Sequence, residues 1–131
     1  MKRKMIVMVA ALLLLVLIVL PISDVQAATK EASGTCTLSH TGRSVKFRGV
    51  TSSSKDEEII RVVVTLQEQR DGVWHSISSV SKTEYNTDIA SAKKSYTVTG
   101  GYYYRVIATH YVKTGNVVST ASSETPSTWI S

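Results

Sequence analysis

The residues of this 131-residue chain best able to do chemistry are three histidines, one cysteine and a short acidic run. His40, His75 and His110 stand 35 residues apart. Protein zinc sites usually take a close pair of ligands from one element, His-x-His on a strand or His-x-x-x-His on a helix. Neither spacing occurs, so the expectation is three separate histidines, no bound metal and no cofactor, with His110 at the rim of its strand. Cys36 alternates with Leu38, which reads as a small buried hydrophobe rather than a nucleophile. No serine lies in a Gly-x-Ser-x-Gly elbow. Asp56-Glu57-Glu58 lacks the spaced oxygens of a calcium loop and reads as a solvated loop. Gly100-Gly101 has no helix after it and reads as a turn, not a phosphate cradle. The chain is expected not to be an enzyme.

The elements that must position these residues begin after a leader. Lys2, Arg3 and Lys4 precede an apolar run from Met5 to Leu20, Pro21 breaks it, and Val25-Gln26-Ala27 sets small side chains before Ala28. These are the three parts of a secretory signal, with cleavage expected between Ala27 and Ala28. An uncleaved membrane anchor is the alternative, although the run is short for a span. The divisions expected are 1–27 signal peptide, 28–33 flexible segment and 34–131 β-domain, giving a secreted protein. Removing Lys2, Arg3, Lys4 and Asp24 lowers the formal net charge from +5 to +3, too mild a balance to imply nucleic acid. Lys46 and Arg48 share a strand face, which a solvated surface explains and an anionic wall polymer or headgroup would also suit. With one cysteine, no internal disulfide can form, so the domain must rest on its core.

Period-two alternation recurs along the remainder, and helical periodicity does not. Strands are expected over 34–40, 43–51, 59–69, 73–81, 94–99, 102–113 and 117–122. Residues 51–58 read as a loop, and 84–93 as irregular with one helical turn at Ile89–Ala92. Arg70-Asp71-Gly72-Val73 is a hairpin turn, since Asp-Gly supplies the positive φ that a tight turn needs. Seven short strands in about 100 residues predict an all-β sandwich of two sheets, because a single flat sheet would leave one apolar face in water.

Ser95-Tyr96-Thr97-Val98-Thr99-Gly100 and Tyr102-Tyr103-Tyr104-Arg105-Val106-Ile107-Ala108, followed by Val117–Ser122, resemble the E, F and G strands of the fibronectin type III and immunoglobulin-like class. The resemblance covers about residues 59–122. It implies a seven-stranded immunoglobulin-like sandwich and puts Tyr102 in the tyrosine-corner position, its hydroxyl bonding back to backbone near the E–F turn. The family's usual tryptophan is missing from 43–51. The whole chain also resembles in style the small secreted proteins of Gram-positive bacteria.

Strand parity then locates an interaction surface. If Tyr102, Tyr104, Val106 and Ala108 face inward, then Tyr103, Arg105, Ile107 and Tyr111 face outward. On the neighbouring strand Ile59, Arg61 and Val63 do the same. Tyr and Arg around aliphatics is the composition of a binding surface. Either this face meets a partner, which could be an unidentified protein, a cell-surface ligand or another copy, or it is covered by 84–93 or by the Trp129-Ile130 tail. The expected function is a secreted, non-catalytic interaction module. A secreted antimicrobial or toxin-like protein is the second class, though no cationic amphipathic helix is present.

Overall fold

The computed structural model describes residues 32–131. The leader, its cleavage site and residues 28–31 lie outside the described residues. Six antiparallel strands follow in chain order: β1 (Ser33–Thr41), β2 (Ser44–Arg70), β3 (Val73–Thr97), β4 (Tyr102–Thr114), β5 (Val117–Glu124) and β6 (Thr128–Ile130). Of the segment expected to be flexible, Ala32 is buried and Ser33 opens β1. Among the described residues there is no helix.

All six strands belong to one hydrogen-bonded sheet, β1-β2-β4-β5, with β3 along β2 and β6 on β4. Two separate sheets are therefore not what buries the core. The sheet curls on itself as a half-barrel, because β2 and β3 are 27 and 25 residues long and each runs through both layers. One layer is β1, residues 44–52 and residues 89–97. The other is residues 73–85, residues 57–70, β4 and β5.

The strands turn the corner at a register shift between Ser52 and Glu57, where β3 supplies only Asp88 between Thr87 and Ile89. Asn86 there takes a positive φ of 55°, which its short polar side chain tolerates. The expected loop at 51–58 is thus a bend within β2. Its polar sequence misleads because residues 54–56, where the strand crosses between layers, are all exposed, and the buried positions on either side, Thr51 and Glu57, are themselves polar. Segment 84–93 is likewise strand. Ala90 and Ala92 are buried while Ile89 and Ser91 face out, a period of two rather than a helical turn.

The core forms where β2 faces itself. Val45 and Phe47 from its first part meet Ile60, Val62, Val64 and Leu66 from its second, with Tyr104, Val106, Ala108 and Val112 from β4. Gly49 lets the layers approach closely. A Cβ there would lie 2.5 Å from Val64 Cγ2 and 3.0 Å from Val62 Cγ2, so only glycine admits the approach. The β2–β3 hairpin turns through Asp71 (φ 51°) and Gly72 (φ 75°), the two positive values that a twist-matched tight turn requires.

Candidate binding face

The outward side of residues 57–85, β4 and β6 carries every residue that strand parity assigned to it. Register places Ile59 beside Tyr85 and Lys113, Arg61 beside Thr83 and Tyr111, and Val63 beside Ser81 and Thr109. Thr65 stands beside Ser79 and Ile107, and Gln67 beside Ser76 and Arg105. The inward partners Ile60, Val62, Val64 and Leu66 are fully buried.

The aliphatic side chains do not merge into one apolar patch. Ile59, Val63 and Ile107 are half-buried; Val63 and Ile107 have polar neighbours on both sides, and Ile59 lies between Tyr85 and Lys113. The middle of the face is a hydroxyl belt in which Thr65 Oγ1 and Ser79 Oγ lie 3.2 Å apart. Aromatic and cationic groups gather at the two ends instead, separated by the eight residues from Tyr103 to Tyr111, or about 26 Å of strand.

At one end the Arg61 guanidinium lies over the Tyr111 ring, 5.2 Å from its centroid, and Arg61 Nε donates to Thr83 Oγ1 at 3.0 Å. At the other end Arg105 is gripped from three directions. Its guanidinium stacks 4.3 Å from the Trp74 ring centroid, Nε donates to Gln67 Oε1 at 2.8 Å, and Nη1 meets Glu124 Oε2 at 3.3 Å. Gln67 is itself held, since its Nε2 donates to Ser76 Oγ at 3.3 Å. Beside this cluster Tyr103 and Trp129 form an edge-on pair with centroids 5.1 Å apart. Their exposures, 44% and 52%, leave both rings accessible.

Neither segment weighed as a cover lies across the face. Residues 84–93 pair edge-to-edge with β2, and the tail becomes β6, pairing with the start of β4. Ile130 turns inward and is buried, while Trp129 joins the face. Trp74 was not among the residues assigned to it. Parity carried from Gln69 across the two-residue Asp71-Gly72 turn places Trp74 outward, so the signal was available in the sequence.

Two buried polar clusters support the inner side. The hydroxyl that bonds back to the turn before β4 belongs to Tyr104 rather than Tyr102. Tyr104 is fully buried and donates to Thr99 O, five residues upstream, and its hydroxyl lies 2.8 Å from Glu68 Oε2. Tyr102 sits one inward step nearer the rim, half-buried, with the Arg70 guanidinium 5.0 Å from its ring centroid. Burial alone would raise the Glu68 pKa, but hydrogen bonds from Arg70 and Tyr104, with the charge of Arg70, outweigh it and hold the carboxyl below its ordinary value. Burial and the neighbouring carboxylate push the Tyr104 phenol the other way, upward.

The second cluster surrounds His110, which is fully buried rather than at the rim. Gly34 makes room for it, since a Cβ there would fall 2.1 Å from His110 Nδ1. Thr51 Oγ1 donates to Arg61 O at 2.9 Å, so its 2.7 Å bond with His110 must take a proton from Nδ1. That leaves Nε2 to accept from Ser123 Oγ at 2.8 Å. The ring is thus a neutral strut between layers, and burial lowers its pKa.

The other histidines stay apart: His40 is exposed, with Nδ1 2.9 Å from Gly42 O, and His75 is exposed on β3. Among the described residues no three His, Cys, Asp or Glu side chains gather as a metal site. Cys36 is half-buried against the core, its thiol 3.6 Å from Val106 O. Of the acidic run, Glu57 is buried in the β2 bend rather than solvated. It accepts from Ser53 Oγ at 2.8 Å and from Thr114 Oγ1.

No protein-family model matches the sequence, and no curated protein matches it. Two solved structures share its β-rich character at a distance. CsgH of R. palustris is 14% identical with a TM-score of 0.41, the match covering 70% of this chain and 90% of that one. The sporulation control protein Spo0M of Bacillus subtilis is 13% identical with a TM-score of 0.41, the match covering 76% of this chain and about half, 49%, of that one.

Proposed function

We propose that this chain is a secreted, non-catalytic interaction module whose outer β3–β2–β4–β6 face recognises a partner at the cell surface. The observation that carries the reading is Arg105, fixed in place by Trp74, Gln67 and Glu124 beside the exposed Tyr103–Trp129 pair. An arginine and aromatic rings already held in position lose little conformational entropy on contact, which is how a few residues come to dominate an interface.

An immunoglobulin-like arrangement belongs to the same proposal. Dividing β2 and β3 at their corners gives, beside the three-residue β6, seven segments, three in one layer and four in the other. The Tyr104 hydroxyl bonding to Thr99 O is the kind of contact a tyrosine corner makes. Export rests on the leader, with its basic start, apolar run and Val25-Gln26-Ala27 site.

The test compares the wild type with Tyr103→Ser plus Trp129→Ser. Both side chains are exposed, so a thermal melt should show the fold retained. Light scattering reads self-association, and sedimentation with washed cell walls reads surface binding. The double variant should lose whichever of these the wild type shows. A monomer in both cases, with wall binding absent or unchanged, refutes the reading.

A further inference from the structure

The outer face of the other layer has a different chemistry. Every charged residue within 33–52 and 89–99 is a cation: Arg43, Lys46, Arg48, Lys93 and Lys94. Across 53–88 and 100–131, Asp and Glu outnumber Lys and Arg by eight to six. The fold therefore sorts charge by layer, and one of its two outer faces carries a single sign. Two of them point elsewhere. Arg43 Nε donates to Ser131 O at 3.3 Å. Lys94, opposite the buried Phe47 in register, donates from Nζ to Ser79 O at 3.4 Å.

Register sets the remaining cations among hydroxyls. Lys46 stands between Ser39 and Ser95, and Arg48 between Thr37 and Lys93. Arg48 Nε donates to Ser91 Oγ at 3.2 Å, which steadies the guanidinium. Two shallow depressions meet at Lys46. One, of about 320 Å³, is lined by Lys46, Lys93, Lys94 and Ser95. The other, of about 170 Å³, continues past Lys46 to Ser39, Thr41 and Ser44.

We propose that this face binds a linear phosphate-bearing polymer, with successive phosphate groups lying in the two depressions. Ammonium groups and hydroxyls together satisfy the several oxygens of a phosphate, and the absence of carboxylates removes the repulsion that would oppose it. Both depressions lie at or below the small end of ligand pockets, ~300 Å³. They suit single charged groups along a chain rather than an enclosed molecule. The side chains bordering Lys46 and Arg48 across the strands are Ser, Thr and Lys. The exposed apolar group on this face, Ile89, lines neither depression and stands alone rather than in a cluster that could enter a bilayer. That favours a soluble polymer over a lipid surface. The site lies on the layer opposite Trp129, so it is independent of the aromatic face.

The test titrates poly(glycerol phosphate) with the purified protein between low and physiological salt. A cation beside an anionic surface is worth about fivefold in affinity, so Lys46→Ser plus Lys93→Ser should weaken binding roughly twenty-five-fold at low salt. Losing two phosphate contacts should make the log–log salt dependence shallower by about two. Lys46→Arg plus Lys93→Arg should bind like the wild type, and so should Trp129→Ser. Should the first variant not fold, Lys93→Ser alone, on edge strand β3, should weaken binding about fivefold and make the salt dependence shallower by about one. No wild-type binding at low salt, an unchanged affinity or salt slope in the serine variants, or binding to phosphatidylglycerol vesicles but not to the polymer would each overturn the proposal.

Discussion

Tyr104→Phe removes one oxygen from a closed site, and the consequences can be worked out from its partners. The hydroxyl is fully buried and shares a single proton between Thr99 O and Glu68 Oε2. Glu68 is itself 2% exposed, and its other oxygen accepts from Arg70. In the variant the carboxylate keeps Arg70 alone, and the Thr99 carbonyl loses its side-chain donor. A hydrogen bond to a charged group contributes about 1.5–3 kcal/mol, and a buried acceptor left unsatisfied costs about 1–3 kcal/mol. Part of the second cost is relieved where water can reach Thr99, which is exposed. The expected loss is about 3 kcal/mol at pH 7. For a domain of this size that lowers Tm by roughly 12–24 °C.

The same reasoning fixes a pH dependence. Burial opposes ionisation of Glu68, but the bonds from Arg70 and Tyr104 win, so its folded pKa lies below the unfolded one. The folded state then binds fewer protons than the unfolded state around and below the ordinary carboxylate pKa, about 4.3. The stabilisation is complete above that value and is lost as pH falls through the folded pKa. Deleting the phenolic hydroxyl moves Glu68 back toward its ordinary value. Urea midpoints for wild type and variant should therefore differ most at neutral pH and converge below about pH 4, with m unchanged. A loss under 1 kcal/mol at pH 7, or a gap that stays constant down to pH 3, refutes the account.

Gly49→Ala should destabilise by about 1–3 kcal/mol in urea titrations, because its Cβ has no room against Val64 and Val62. Little or no loss would mean that the layers separate there at low cost. His110 predicts an opposite dependence from that of a paired histidine. Burial lowers its folded pKa, so its contribution is complete above the unfolded value of about 6.5 and is lost as pH falls toward the folded one. His110→Gln should flatten the stability slope between pH 6.5 and 5, measured by thermal melts across that range. An equal slope in both proteins would show that the ring is free to charge.

Strand parity survives translation into three dimensions because it is a property of one strand at a time. Ile60, Val62, Val64 and Leu66 are fully buried, and Arg61 and Val63 stand outward, as alternation alone requires. What alternation could not supply is continuity. Residues 53–56 look like a loop by composition, yet they carry β2 around the corner between layers, and the partner that makes this visible is β3, far away in sequence. The aromatic cluster was partly legible. Tyr103 and Arg105 follow from parity within β4, whereas Trp129 joins them only through the pairing of β6 with the start of that strand. Tyr102 and Tyr104 have the same parity, and depth separates them. Tyr104 lies far enough along β4 to reach Glu68, while Tyr102 remains at the rim beside Arg70.

The continuity of β2 and β3 explains how a domain with no internal disulfide can hold two chemically unlike faces in a fixed relation. Two stacked sheets without a covalent tie can slide unless side chains interlock them. Here the backbone itself crosses between the layers twice, so each layer's register is tied to the other's through an unbroken run of strand. The interior fastenings sit at different distances from that crossing. Thr51 and His110 lie next to it, Gly49 against Val62 and Val64 is one inward step further, and Tyr104 with Glu68 closes the far end. Because β2 carries a member of each fastening, loosening one loads the strand that supplies the others. The layers should therefore unfold together, and neither outer face can be reshaped by internal mutation without a cost to the other.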